Sequence, residues 1–127
     1  MELNEYQKRA MTTCMVSCDN FSYMMLNLVG EVGEFASKVA KHIRKKKMYI
    51  GDGYQPNELF YNFKAVEEST MVDWNDELKK EAGDILWQLA GLCHVQGWDL
   101  EEVAKMNLEK LASRKQRNVI DGDGDNR

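Results

Sequence analysis

The sequence has a single proline and no long apolar run. Pro56 is the only proline among 127 residues, and a chain this poor in proline but rich in Glu, Lys, Leu, Met and Ala favours long helices. Its length suits one domain, because domains cluster near ~100–150 residues, so we predict a single domain over 1–127. No apolar stretch approaches the ~20 residues that span a bilayer, and we expect no membrane partner.

Basic character and paired cysteines are also lacking. A net charge of −4 argues against a general nucleic-acid binder, which would carry a basic footprint. The basic run 41–47 is typical of a helix end, where cations meet the negative pole of the dipole, with phosphate steering as the alternative. Cys14, Cys18 and Cys93 form no zinc-binding set, and no secretory segment is evident. We therefore expect a reduced, cytoplasmic protein.

Apolar residues recur at helical spacing in four segments, which predicts an all-α chain. The first helix is predicted over 3–18 and the second over 21–47, with Asp19 and Asn20 supplying the break and a new cap. Along the second helix we expect an apolar seam at Leu28, Val32, Phe35 and Val39.

The third and fourth helices are predicted from capping patterns. The third begins near Trp74, with Asp73 as a plausible N-cap, and Gly97 ends it. Asp99 caps the fourth helix, with Glu102 at the reciprocal position of a capping box.

Two segments are predicted to lie outside these helices. The long connection 48–72 opens with turn chemistry at 49–56 and leaves room for a short helix or strand within 57–68. Connections of this length are often functional, and we expect this one to be mobile without ligand. The glycine-rich ending, 119–127, is predicted to be a flexible tail.

The second and third helices repeat one arrangement of carboxylates. Glu31 and Glu34, and likewise Glu81 and Asp84, stand three residues apart and therefore project from one helix face. Like charges at this spacing repel each other, and burial beside an apolar seam adds several kcal/mol per unpaired ion. Either these groups face water or a cation lies between them, and Mg²⁺ prefers carboxylate and water oxygens.

Three glycines sharpen the metal hypothesis. Gly30, Gly33 and Gly83 each precede an acidic residue inside a predicted helix, where glycine costs about 0.5–1 kcal/mol relative to alanine. Breaks of local rules concentrate at functional sites. We interpret the three glycines as positions that let a partner helix or a ligand approach closely.

A di-iron carboxylate bundle is the structural rival of a magnesium site. Such a bundle needs Glu-x-x-His on two of its helices. The positions three residues before His42 and His94 hold Val39 and Gly91, so the sequence does not favour that rival.

The acidic motifs resemble those of a known family. Segments 28–34 and 81–87 are similar to the Glu-x-x-Glu and Glu-x-x-Asp signature of the MazG-like, all-alpha nucleotide pyrophosphohydrolases. Segment 107–114 is similar to the stretch of the fourth helix in which that family commonly shows Asn, Lys and Arg. The ending 119–127 resembles the ending of many small members of the family. The resemblance implies a four-helix-bundle core, assembled as a homodimer or as a dimer of dimers (a homotetramer).

The resemblance also implies a reaction and a metal. It implies hydrolysis of a nucleoside triphosphate by attack of water on the alpha phosphorus, giving the monophosphate and pyrophosphate, with Mg²⁺ as cofactor and Mn²⁺ as a possible substitute. The metal ligands implied are Glu31, Glu34, Glu81 and Asp84. One of the acids doubles as base; we favour Glu31, with Glu34 as the other catalytic candidate.

Five further residues are substrate-binding candidates. Lys38 lies one turn beyond Glu34 and is placed to pair with phosphate. By resemblance, Asn107 would meet sugar or base, and Lys110 and Arg114 would meet phosphates, with surface charge as the alternative. Trp87 either stacks on a base or packs in the protein.

The expected role is house-cleaning of the nucleotide pool. The closest alternative in chemistry is a phosphoribosyl-ATP pyrophosphohydrolase, which cuts the same kind of bond. A non-catalytic helical binding module is the alternative outside enzymes.

Overall fold

A computed structural model of the chain is built on four α-helices, which confirms the all-α prediction. It describes residues 1–45, 48–50, 63–65 and 68–127, and side chains outside 46–74. The helices are α1 (Leu3–Met11), α2 (Phe21–Arg44), α3 (Glu68–Val95) and α4 (Leu100–Gln116), with a 3-10 turn at Val16–Cys18. Within the described part of the chain, no helix is long and apolar enough to cross a membrane.

Backbone contacts divide the chain into two compact units. The first unit contains residues 1–23 and 90–127, and the second contains 24–89. In the first unit, α1 packs against α4. Its core consists of Ala90, Cys93 and Leu100, with Tyr6, Met11 and Val103 packed around them.

The buried side chain of Gln7 joins three backbone segments of the first unit. Its amide nitrogen donates to the carbonyls of Ala90, at 3.3 Å, and Trp98, at 3.0 Å. Its amide oxygen accepts from the backbone nitrogen of Leu100 at 2.9 Å. Both the amide nitrogen and the amide oxygen of Gln7 are therefore hydrogen-bonded to backbone groups, as expected of a buried polar side chain.

The first turn of α4 is capped from α1. Asp99 occupies the predicted N-cap position but makes no side-chain capping bond, so the predicted capping box with Glu102 is wrong. The side-chain oxygen of Gln7 accepts a hydrogen bond from the backbone nitrogen of Leu100. The side-chain oxygen of Asn4 accepts one from the backbone nitrogen of Glu101 at 3.0 Å. Side chains of another helix thus cap these two backbone N–H groups, which have no hydrogen-bond partner within α4 itself.

Residues in the left-handed region end both α3 and α4. Gly97 has φ of 72°, and Trp98 donates to the carbonyl of Cys93 at 2.8 Å, the six-to-one bond of a Schellman motif. Gly97 therefore stops α3 as predicted. Asn118, with φ of 61°, performs the same turn after α4.

The first helix is shorter than predicted. Instead of running over 3–18, α1 ends at Met11. The hydroxyls of Thr12 and Thr13 donate to the carbonyls of Arg9 and Ala10 at 2.6 and 2.7 Å. Side-chain bonds of this kind compete with the helical ladder and favour its termination. Asn20 then caps α2 as predicted, accepting from the backbone nitrogen of Tyr23 at 2.8 Å.

The connection between α2 and α3 is shorter than predicted. Helix α2 ends at Arg44 rather than at residue 47, and α3 begins at Glu68, which places Asp73 inside the helix rather than at its cap. A capping pattern is only a local preference, and the helix here begins upstream of the predicted cap.

A small sheet occupies part of this connection. Strands β1 (Met48–Ile50) and β2 (Phe63–Ala65) pair antiparallel, with Met48 opposite Ala65. The predicted turn at 49–56 is therefore wrong at its first two residues. The rest of that turn, and the predicted mobility of residues 51–62, lie outside the described residues.

Among the described side chains of the second unit, the buried hydrophobic residues are Met24, Val39 and Leu78. The predicted seam on α2 is confirmed at Val39, and Leu28 and Phe35 are half-buried. Val32 is 50% exposed, so the seam prediction is wrong at this residue. Apolar spacing identified the helix, but it could not tell which neighbouring stripe this chain covers by itself.

The C-terminal tail, predicted to be flexible, forms a turn closed by Arg127. The guanidinium of Arg127 donates hydrogen bonds to three backbone carbonyls of the tail, those of Val119, Ile120 and Gly124. A Cβ atom at Gly122 would lie 2.6 Å from Cδ of Arg127, so a larger residue there would displace the Arg127 side chain. These bonds hold Arg127 against the backbone of its own chain.

We expect Gln7→Ala to lower the free energy of unfolding by about 2–3 kcal/mol, because it leaves buried backbone groups unsatisfied. Urea denaturation at fixed protein concentration measures this change. Asn4→Ala is the matched control; it removes only an exposed cap and should cost about 1 kcal/mol or less. Equal losses in the two variants would contradict the role given to Gln7.

Candidate metal and nucleotide site

Three acidic side chains of the second unit come together between α2 and α3. Glu31 and Glu34 lie one turn apart on α2, and Glu81 approaches them from α3. Each offers one carboxylate oxygen, and the three oxygens lie within 4.8 Å of one another. We call these three residues the acid cluster.

Burial differs across the acid cluster. The side chain of Glu81 is 8% exposed, whereas Glu31 is half-buried and Glu34 is exposed. Oε2 of Glu81 is buried and has no hydrogen-bond partner among the described residues. A buried carboxylate oxygen without a partner costs free energy, which points to a ligand that the protein itself does not provide.

Asp84, the fourth predicted ligand, is exposed and its carboxylate lies outside this group of three. It is nevertheless close enough for its charge to act on Glu31. Desolvation by burial raises the pKa of Glu31 first, followed by the negative charges of Glu34, Asp84 and Glu81. A hydrogen bond from Asn27, at 3.3 Å, opposes this rise in pKa.

A lysine balances part of this charge. Lys38, one turn after Glu34 on α2, forms an ion pair with Oε1 of Glu81. Its ammonium also lies 3.7 Å from Oε1 of Glu77, one turn before Glu81 on α3. The hydrogen bond to Glu81 is the largest cause of a raised pKa for Lys38, so the ammonium form is favoured.

His42 extends this row of charges by another turn. Its Nε2 lies 2.9 Å from Oε2 of Glu77, and that hydrogen bond is the largest cause of a lowered pKa for Glu77. One carboxylate oxygen of Glu77 therefore contacts His42, and the other contacts Lys38. Sequence reasoning assigned neither Glu77 nor His42 to the site, although their spacing of four from Glu81 and Lys38 is the available signal.

The acid cluster suits a hard divalent cation. Its donors are all carboxylate oxygens, the type that Mg²⁺ prefers, and its one buried oxygen is unpaired. Among the described residues, nothing lies within 4 Å of where a side chain at Gly33 or Gly83 would sit. These glycines leave open space beside the acids, as the sequence interpretation requires.

Two cations of the α4 candidate stripe hold the C-terminal tail. The side chain of Arg114 is 6% exposed, and its Nη2 lies 3.1 Å from Oδ1 of Asp125. Nζ of Lys110 lies 3.4 Å from the same oxygen. Arg114 is therefore not a surface charge, and Asp125, which sequence reasoning missed, is the partner of both cations.

The other two substrate candidates differ in exposure. Asn107 is exposed on α4, and Trp87 is half-buried on α3, one turn after Asp84. Exposure leaves Asn107 accessible to a ligand, and partial burial leaves both predicted roles of Trp87, stacking and packing, open to test.

We expect Asp125→Asn to lower the melting temperature at pH 7, with the difference vanishing in acid. Arg114 first, and then Lys110, lower the pKa of Asp125 from its ordinary value of 3.8. A carboxyl whose folded-state pKa is lowered contributes stability above the unfolded value and loses it as pH falls through the folded-state pKa. Melting curves from pH 7 to below 3.8 measure this.

Asp123→Asn is the matched control, because Asp123 is exposed and makes no ion pair among the described side chains. A difference between Asp125→Asn and wild type that stayed constant across this pH range would contradict the ion-pair explanation.

Comparison with known proteins shows the family of the chain. Residues 20–119 match the family model described as the MazG nucleotide pyrophosphohydrolase domain. The Gene 37 protein of Mycobacterium phage L5 is similar, with 37% identity over 134 residues and 100% of both chains covered. No solved structure matches.

Proposed function

Because the chain belongs to the MazG nucleotide pyrophosphohydrolase domain family, we propose that it is a magnesium-dependent nucleoside triphosphate pyrophosphohydrolase. The observation that carries this proposal is the acid cluster, in which three carboxylates approach within 4.8 Å and a buried oxygen has no partner among the described residues. The products are the nucleoside monophosphate and pyrophosphate.

Glu31, Glu34 and Glu81 would hold Mg²⁺, with Asp84 as a fourth ligand at the exposed edge of the cluster. Mn²⁺ would serve as a substitute, because it accepts the same oxygen donors. When bound, the ion neutralises phosphate charge and lowers the pKa of water. The rest of the reaction falls to the side chains of the protein.

A general base must accept the proton of the water that attacks the alpha phosphorus. Glu31 is our first candidate and Glu34 our second. Asn27 donates to Oε1 of Glu31 at 3.3 Å, which orients that carboxylate and leaves its other oxygen for the proton. The bond between the alpha phosphorus and the bridging oxygen then breaks, and pyrophosphate leaves with its charge stabilised by nearby cations.

Lys38 is the phosphate-binding candidate of the second unit, and Lys110 is that of α4. Lys110 is partly exposed, whereas Arg114 is buried beneath its bonds to the tail. Arg114 would therefore meet phosphate only after the tail turn opens. Asn107 would bind sugar or base, and Trp87 would stack on the base.

We also propose a homodimer or homotetramer. Leu26 and Val29 on α2 are 75% and 67% exposed, and Met25 and Val32 lie beside them as further exposed apolar side chains. Apolar surface of this kind is typical of an interface. Light scattering at micromolar concentration tests this proposal, and a monomer would contradict it.

The proposed role is house-cleaning of the nucleotide pool, in the cytoplasm. Three free cysteines support the location, because disulfides are rare in reducing compartments. A panel of ordinary and modified nucleotides identifies the preferred base.

The first experiment is to measure pyrophosphate and monophosphate release from that panel, with magnesium and with chelator. Magnesium-dependent formation of both products is the expected result. Release of orthophosphate would mean that a different bond is cut. No turnover of any nucleotide would favour phosphoribosyl-ATP as substrate, and no turnover of that compound either would favour a non-catalytic binding module.

We expect Glu34→Gln and Asp84→Asn each to lower pyrophosphate release by about 100-fold or more, the usual size for a lost electrostatic contact in the transition state. The fold should remain intact or gain stability in chelator, because one of several crowded acids is neutralised. Asp76→Asn, an exposed neutralisation on the same helix as Asp84, is the control. Wild-type activity in Glu34→Gln or Asp84→Asn would remove that residue from the site.

A further inference from the structure

Lys38 makes the only ion pair with the acid cluster among the described side chains. It pairs with Glu81, the most buried of the three acids, and it does so from the same helix that provides Glu31 and Glu34. An ammonium in this position offsets repulsion that the three carboxylates would otherwise exert on one another.

We propose that Lys38 is the resident cation of the acid cluster, that it competes with a divalent cation for Glu81, and that Glu77 and His42 provide its second anchor. This inference rests on the proposed function, because it assumes that the acid cluster is where the divalent cation binds. It assigns Glu77 and His42 as positioning residues, which act through Lys38 rather than on the substrate.

The geometry supports an ammonium shared between two carboxylates. Lys38 is paired with Oε1 of Glu81 and lies 3.7 Å from Oε1 of Glu77. Glu77 and Glu81 are four residues apart on α3, so they stand on one helix face one turn apart. A displacement of the ammonium towards Glu77 therefore needs only side-chain rotation, with no movement of either helix.

His42 fixes the second anchor. Its side chain is 12% exposed, and its Nε2 lies 2.9 Å from Oε2 of Glu77, which leaves Oε1 for Lys38. His42 follows Lys38 by one turn on α2, so one helix provides both partners of Glu77. The carboxylate of Glu77 is thereby held in place whether or not Lys38 also binds Glu81.

Competition follows from the charges. A divalent cation at Glu81 and the Lys38 ammonium would repel each other across a short, partly buried distance, where the interaction is stronger than in bulk water. Removal of the ammonium should therefore tighten cation binding. If the ion pair were purely structural, removal of the ammonium would instead weaken cation binding, because the acids on α2 and α3 would be held less firmly in place.

The test is calorimetric titration of Mn²⁺ or Mg²⁺ into the full chain without nucleotide. We expect Lys38→Met to bind the cation about three- to tenfold more tightly than wild type. This factor is the usual size of the interaction between two charges that are partly exposed or partly buried. The control is Lys45→Met, the same change of charge at an exposed position further along the chain, and it should leave the affinity near that of wild type. The gain should shrink at high salt.

Glu77→Gln separates an effect through Lys38 from simple loss of a negative charge. In the wild-type background it should weaken cation binding, because Lys38 loses its second anchor and remains at Glu81. In the Lys38→Met background most of that weakening should disappear, which a double-mutant cycle detects. An equal weakening in both backgrounds would mean that Glu77 acts as a charge alone and would overturn its positioning role.

Melting curves in chelator provide a readout that does not depend on turnover. Lys38→Met should melt below Lys45→Met in chelator and regain more stability when the cation is added. If all variants bind the cation and Lys38→Met binds it no more tightly than wild type, the inference is wrong while the metal site stands. If neither wild type nor Lys38→Met binds a divalent cation, both the metal part of the proposed function and this inference are wrong.

Discussion

Electrostatic repulsion among Glu31, Glu34 and Glu81 is the constraint on which the candidate site depends. Two of these carboxylates share one turn of α2, and the third arrives from α3 with little exposure to water. Burial and neighbouring charges raise the pKa of Glu31, which is the expected response of an acid that cannot easily remain ionised. Positive charge close by stabilises such an arrangement.

The protein provides some of that charge itself. Lys38 pairs with Glu81, and the row continues through Glu77 to His42, alternating between α2 and α3. The polar face between these helices is therefore an ordered charge network rather than a solvated surface. An ammonium is a monovalent partner, and in the proposed function a divalent cation would compete with it for Glu81 and bind the phosphates of a nucleotide.

The first unit shows the same reliance on tertiary partners. Gln7 from α1 bonds to backbone groups near the end of α3 and at the start of α4, where the local capping residue, Asp99, makes no side-chain capping bond. Arg114 and Arg127 organise the C-terminal tail by binding its carbonyls and the carboxylate of Asp125. The glycine-acid ending of the sequence is thus a set of specific contacts.

Sequence patterns predicted the helical class, the α3 stop at Gly97 and the approach of Glu31, Glu34 and Glu81. The helical class and the α3 stop follow from local rules, because helical spacing fixes which residues share a face and glycine fixes the turn. The meeting of Glu81 with Glu31 and Glu34 joins two helices, and the family resemblance implied it. The predictions of the end of α1, the start of α3 and the cap of α4 were wrong. Threonine hydroxyls favour the early end of α1, and the side chain of Gln7 caps α4 from another helix.

The missed site residues have a similar cause. Glu77, His42 and Asp125 acquire their roles only through partners on another element, and a single sequence does not show which elements meet. Val32 was placed in the apolar seam because spacing reveals an apolar stripe, but spacing does not show which residues of the stripe the chain buries.

The most direct test of the central claim is hydrolysis of the preferred nucleotide in water enriched with oxygen-18, followed by mass spectrometry of both products. Attack on the alpha phosphorus, with Glu31 or Glu34 as base, predicts that the label appears in the monophosphate and that pyrophosphate stays unlabelled. Label in pyrophosphate would mean attack on the beta phosphorus and would contradict the mechanism proposed for this site.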